Sequence, residues 1–283
     1  MQEVLPILLE AALTRAYARD GWLGDSLPPV GVSFPQLRDL EGAIEQVLDS
    51  SGYEQKVRDN LRTALKHRIG SLRLGFKGKL LSTAHSTALF AGEEVTEPEG
   101  LSWSQRFGQL FERSAVVNLS MLTDDADKSL VMGLLMGVLY EQRSVQGTYR
   151  NENGDGALRH VTFIEEAHRI LRRPSNESGN AKGFVSEMFA DILAEIRAYG
   201  EGLVIVDQVP AKLIPDALKN TNLKIVHRLQ ARDDQEALAT TMGLTPEQAQ
   251  CISLLEPGQA IVQSGHRALM LRFPSDKDPR RLT

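Results

Sequence analysis

Beyond residue 100 the sequence alternates short apolar runs with helix-length stretches, and this alternation most constrains the fold. The runs are "SAVVNLSML" (114–122), "HVTFIEE" (160–166), "GLVIVDQVP" (202–210) and "NLKIVHRL" (222–229). Strands buried on both faces read as continuous apolar runs, and strands separated by helices feed a parallel sheet. The segments between them include "DDADKSLVMGLLMGVLYEQR", a capped helix, and Phe184 to Tyr199, another. "DDQEALATTMG" is a third helix, with Asp233 or Asp234 as its cap. "QAIVQSGHRALMLRF" (259–273) reads as two strands around a Ser-Gly turn, and "TYRNENGDGALR" (148–159) as a polar loop.

Residues 1 to about 80 have a different texture, with helical periodicity and almost no strand signal. "MQEVLPILLEAALTRAY" lacks a basic leader and reads as a helix. "PQLRDLEGAIEQVLDSSG" (35–52) carries a start and a stop, and Val57, Leu61, Leu65 and Ile69 form one helical face. "DGWLGDSLPPVGVSFP" between the first two is turn-rich, and the acidic "FAGEEVTEPEG" (90–100) is the candidate boundary. The expected division is a helical subdomain over 1–100 and an α/β core over 101–283.

Composition narrows the function classes. The 283 residues carry a formal net charge of −5, so any nucleic-acid contact has to be a local patch. The single cysteine, Cys251, excludes an internal disulfide and fits a reducing compartment as a small packed side chain. The longest apolar run, Leu130 to Tyr140, is too short to cross a bilayer. Its Gly133 and Gly137 point to close helix packing. A soluble cytoplasmic protein is expected, with no membrane partner.

Ligands of an open parallel sheet bind at the carboxyl ends of its strands. Three runs here end in polar groups: Glu165–Glu166, Asp207–Gln208 and Arg228. Adjacent carboxylates repel, and a metal ion with a polarised water offsets that repulsion. One carboxylate then serves Mg²⁺ while the other positions and deprotonates a water. The plainer alternative is that "EEAH" starts a helix, with acids at the positive end of its dipole. His168, in the turn after the pair, reads as a packing or hydrogen-bonding residue rather than a catalytic one.

The segments "VTFIEEAHRIL", "EIRAYGEGLVIVDQVPAKL", "NTNLKIVHRL" and "LEPGQAIV", in this order, resemble the carboxyl-terminal part of HerA-type ATPases. These belong to the HerA/FtsK superfamily of hexameric P-loop motors. The resemblance covers roughly residues 100 to 273 and extends weakly into the helical part. It implies a RecA-like P-loop core with a mostly parallel sheet, plus the amino-terminal helical subdomain. It further implies that Glu165 is the Walker B acid serving Mg²⁺, and that Glu166 is the general base. Gln208 matches the γ-phosphate sensor, and Arg197 the arginine finger donated to a neighbouring subunit's ATP. Arg228 would be a further phosphate-sensing residue. Asp207 and Val209 depart from the small and basic residues that commonly flank the sensor glutamine. ATP and Mg²⁺ are the implied cofactors. The implied partners are further copies of the chain in a hexameric ring, double-stranded DNA and a nuclease, for DNA-end processing or phage defence.

The phosphate-cradling loop G-x-x-x-x-G-K-[ST] is absent from the sequence. The nearest string, "GFKGKL" (75–80), follows a helix, has Leu80 after Lys79, and reads as a basic turn. The expectation is a fragment without its central P-loop strand, leaving a gap or a substitute strand between "LVIV" and "KIVHRL". Basic residues concentrate at 56–79, where Arg58, Arg62 and Lys66 share a helical stripe that reads as a solvated face. Arg172, Arg173 and Lys182, in the loop after the carboxylates, are the candidate DNA contacts. Two other readings stand: a conjugative or type IV secretion motor, and a non-enzymatic module that keeps the fold without the P-loop.

Overall fold

The computed structural model describes residues 4–22, 35–81, 110–172, 180–265 and 267–273. The chain divides into two compact units, Met1–Arg106 and Phe107–Thr283. The connector at 90–100 and most of the turn-rich stretch before residue 35 lie outside the described residues.

The first unit is helical in its described parts: α1 (Val4–Arg19), α2 (Leu37–Ser50), α3 (Gln55–Leu72) and α4 (Gly75–Leu80). Its core is built at helical spacing from Leu5, Leu8, Ala12 and Ala16 of α1 against Ile44 and Leu48 of α2 and Leu61, Leu65 and Ile69 of α3. Val57 stays exposed in the first turn of α3. A capping box starts α2, with the Gln36 N–H donating to Asp39 at 2.8 Å. The string "GFKGKL" is a short helix rather than a turn. The basic stripe is spent inside the unit. Arg62 pairs with Glu45, Asp49 and Asp59, and Lys66 with Glu45.

The second unit contains α5 (Asp125–Gln146), β1 (His160–Glu165), α6 (Asn180–Glu195), β2 (Glu201–Val206), α7 (Pro215–Lys219), β3 (Leu223–Val226), α8 (Arg232–Met242), α9 (Pro246–Leu254), β4 (Gln259–Ser264) and β5 (Arg267–Arg272). β1 and β2 form a parallel pair, while β3, β4 and β5 form a separate antiparallel sheet in that order. The expectation of one mostly parallel sheet is corrected to this extent: only β1 and β2 pair in parallel. For β4 and β5 the reason lies in the connection length. A tight Ser-Gly turn joins β4 to β5, and such turns make antiparallel neighbours. Among the described residues no ladder joins β2 to β3.

Three further expectations change. Residues 114–119 form no strand, and Val116 and Met121 stand almost fully exposed, so among the described residues the run has neither a pairing partner nor a cover. The cap of α8 is Ala231, because Asp234 is drawn off to accept the Ala211 N–H at 2.9 Å. No described residue comes within 4 Å of a Cβ placed on Gly133 or Gly137, so the small-residue spacing marks no close packing there.

The core of the second unit lies between the parallel pair and its helices. Ile164 of β1, Met136 and Leu139 of α5, Phe189 and Ile192 of α6, and Ile196 are buried together. A second cluster, Val226, Met242, Ile252, Leu255 and Ile261, sits under the antiparallel sheet. The α6 end is fixed by Gly200 (φ 80°), where a Cβ would fall 2.8 Å from Tyr149. That left-handed glycine turns the chain straight into β2. A buried ion pair crosses the sheet's starting edge, with Arg143 Nε donating to Glu201 Oε2 at 2.9 Å. Thr162 and His160 of β1 meet the other oxygen, each at 2.7 Å. Among the described residues no helix is long and apolar enough to cross a membrane.

Candidate active site

Parallel pairing decides which side chains meet. The register sets His160 beside Glu201 and continues to Glu165 beside Val206. One step further, the chain ends of β1 and β2 bring Glu166 alongside Asp207 and Gln208 at the carboxyl edge. This is where an open parallel sheet presents its ligand groups.

Glu166 is the only non-glycine residue with positive φ among the described residues (φ 52°, ψ 44°). An L-residue in this left-handed region costs roughly 1–2 kcal/mol. The turn that follows, Ala167–Arg169, is one turn of 3-10 helix, with Ala167 buried and the Arg169 N–H donating to the Glu166 carbonyl at 3.0 Å. So "EEAH" does not start an α-helix. The two carboxylates leave the strand in different backbone conformations.

The Glu166 carboxylate is gripped from β2. Gln208 Nε2 donates to Glu166 Oε1 at 3.0 Å. His168 Nδ1 lies 3.6 Å from Glu166 Oε2 and 2.9 Å from Asp207 Oδ2. The same Asp207 oxygen accepts the His168 backbone N–H at 2.7 Å, and its other oxygen accepts the Val209 N–H at 2.8 Å. With its side chain only 3% exposed, Asp207 is a buried carboxylate satisfied by three donors. Arg169 pairs with Asp125 at the start of α5, which anchors the turn from its far side. That hydrogen bond and the guanidinium's charge hold the Asp125 carboxyl below its ordinary range.

Glu165 is exposed, on the same face of β1 as Phe163, and no described residue bonds its carboxylate. A free carboxylate at a strand end fits Mg²⁺, which keeps most of its waters and takes few protein ligands. No group of three or more metal-ligating side chains occurs among the described residues.

The structure thus joins Glu166 and Gln208, with Glu165 next in sequence, and sets beside them Asp207, expected as a strand-end polar group, and His168, expected as a packing or hydrogen-bonding residue and found hydrogen-bonded. The remaining candidates stand apart. Arg197 is exposed in the 3-10 turn Ile196–Tyr199, ahead of β2, at the opposite edge of the parallel pair from Gln208. Arg228 is exposed beyond the end of β3, and no described bond links it to the carboxylates. Arg172 bridges in antiparallel fashion to Leu213. Arg173 and the side chain of Lys182 lie outside the described residues.

No protein-family model matches the chain. It is 31% identical over 153 residues to the DNA double-strand break repair helicase HerA of Sulfolobus acidocaldarius, covering 52% of this chain and 28% of that protein. It is 29% identical over 148 residues to the same-named helicase of Saccharolobus solfataricus, again across 52% of this chain and 28% of the relative. The matched stretch is therefore little more than a quarter of the length of these relatives. Among solved structures, VirB4 of Thermoanaerobacter pseudethanolicus superposes with a TM-score of 0.59 over 98% of this chain and 65% of that one, at 15% identity. At that identity the likeness speaks for the fold alone, and an α/β unit with a parallel pair fits a RecA-like P-loop core.

Proposed function

This chain is related by sequence to the HerA-type ATPases of the HerA/FtsK P-loop superfamily, and from that premise we propose that it forms part of a DNA-translocating ATPase. The protein carrying it assembles as a ring of identical subunits, six in the family's pattern. It hydrolyses ATP with Mg²⁺, tracks double-stranded DNA and works beside a nuclease in DNA-end processing. The observation that carries the reading is the 3.0 Å contact between Glu166 and Gln208 across adjacent parallel strands. A base that touches a polar group on the neighbouring strand can have its position set by whatever that group binds.

Glu166 accepts the proton of the attacking water, and Gln208 holds its carboxylate while meeting the terminal phosphate. Glu165 would hold Mg²⁺, which when bound would supply positive charge against the phosphate oxygens. Arg197 serves a neighbouring subunit, and Arg228 is a secondary phosphate contact. Arg172, Arg173 and Lys182 are the basic groups offered to DNA. The VirB4 likeness leaves a secretion-type motor compatible with the fold, whereas the sequence kinship favours the HerA reading.

Hydrolysis needs a phosphate cradle, and no G-x-x-x-x-G-K-[ST] occurs in these 283 residues. The purified chain alone should therefore turn over ATP near background. Robust turnover that Glu166→Gln abolishes would place a cradle inside these residues. The decisive measurement is made on a protein that joins these residues to a phosphate-binding loop. DNA-stimulated hydrolysis is expected there, and its absence would favour a non-enzymatic module.

A further inference from the structure

Asp207 stands where the resemblance leads one to expect a small residue, and the geometry gives it work. Its buried carboxylate holds both the backbone N–H and the ring Nδ1 of His168, two residues beyond Glu166. Glu166 sits in the left-handed region, a conformation that persists in an L-residue only when its surroundings enforce it. Three contacts enforce it. Asp207 pulls on the turn from β2, Arg169 ties it to Asp125, and Gln208 takes the Glu166 carboxylate.

We propose that Asp207 and His168 are positioning residues that clasp Glu166 in its left-handed conformation, with its carboxylate presented to Gln208. The inference rests on reading Glu166 as the general base, and it deepens that reading. Asp207 and Gln208 are consecutive, so any displacement of Gln208 by a bound phosphate is transmitted through Asp207 to the turn that aims the base. The clasp makes base and sensor one mechanical unit.

The first test needs no ATPase activity. Glu166→Gly and Glu166→Ala both remove the carboxylate, but only glycine tolerates positive φ without strain. In urea unfolding of the 283-residue chain, the glycine variant is expected to have a folding constant about fivefold above that of the alanine variant. Repeated in an Asp207→Ala background, the difference should vanish, because an unclasped turn relaxes out of the left-handed region. An undiminished difference there overturns the clasp.

The second test uses the protein that joins these residues to a phosphate-binding loop. Asp207→Ala and His168→Ala should each lower kcat roughly 10–10²-fold with KM unchanged, the loss expected of a misaimed group. His168→Asn, whose amide nitrogen can stand where Nδ1 stands, should restore most of the rate. A wild-type kcat in Asp207→Ala overturns the positioning role. If Glu166→Gln itself leaves turnover intact, the base assignment fails, while the glycine–alanine comparison still decides whether the turn is clasped.

Discussion

At the scale of single residues, the sequence marks Glu165 and Glu166 as a pair, and the structure makes them unequal. Glu165 ends a strand with an exposed carboxylate that no described residue bonds; Glu166 is turned into a left-handed backbone and held by Gln208. That inequality suits a division into metal ligand and base. In the loop-bearing protein, Glu166→Gln should leave ATP binding in place and slow hydrolysis by ~10²–10⁴, the usual contribution of a positioned base. Nucleotide binding and turnover measured on one preparation check this, and joint loss of both would point to a folding defect instead. The carboxylate pair and Gln208 were legible because strand ends in parallel sheets carry ligand groups, and an apolar run marks where a strand ends. The Asp207–His168 contact was not, because it joins residues 39 apart through the register of two strands and depends on a backbone conformation that no residue type announces here. A glycine at 166 would have advertised the turn; a glutamate conceals it.

Among elements, the pattern of apolar residues located most helices by its spacing and the β1 to β5 strands by its runs. It failed at 114–122, where β-branched residues form an apolar run that pairs with nothing described. Strand propensity describes a half-buried pleated surface, and without a neighbour it specifies little. It also left unread the ion pair that joins α5 to the sheet, because Arg143 and Glu201 lie 58 residues apart. Both side chains are almost wholly buried, at 1% and 0% exposure, and Arg143 also donates to the Phe111 carbonyl at 2.8 Å. Removing one partner of such a pair strands the other charge, at a cost of about 3–5 kcal/mol. Arg143→Met should destabilise the chain by that amount in urea unfolding. The double change Arg143→Met with Glu201→Leu should recover much of the loss, since two apolar side chains leave no orphaned charge. If the double variant is no more stable than Arg143→Met alone, stranded charge is not the source of the loss, and the bonds of Arg143 to the Phe111 carbonyl and to Glu112 Oε1, at 3.0 Å, matter more.

In the whole molecule, the distance between Arg197 and the carboxylates bears on whether Arg197 can act within its own chain. Arg197 precedes β2 and Gln208 follows it, with the six residues of the strand between them. At about 3.3 Å per residue this separation is roughly 20 Å, well beyond the reach of one arginine side chain. Arg197 therefore cannot serve the Glu166 of its own chain. It is exposed, and no described residue pairs with its guanidinium, so it is free to meet a second copy. In the proposed ring, a site then takes Glu165, Glu166 and Gln208 from one subunit and Arg197 from the next. Loop-bearing protein with Arg197→Ala should bind nucleotide yet lose roughly 10³-fold or more in turnover, the contribution of an arginine finger. Mixed with a Glu166→Gln partner, the two inactive proteins should regain part of the activity. A normal base on an Arg197→Ala subunit then meets a normal finger on its Glu166→Gln neighbour. Hydrolysis that stays at background in rings shown to exchange subunits would mean that Arg197 is not donated to a neighbouring site.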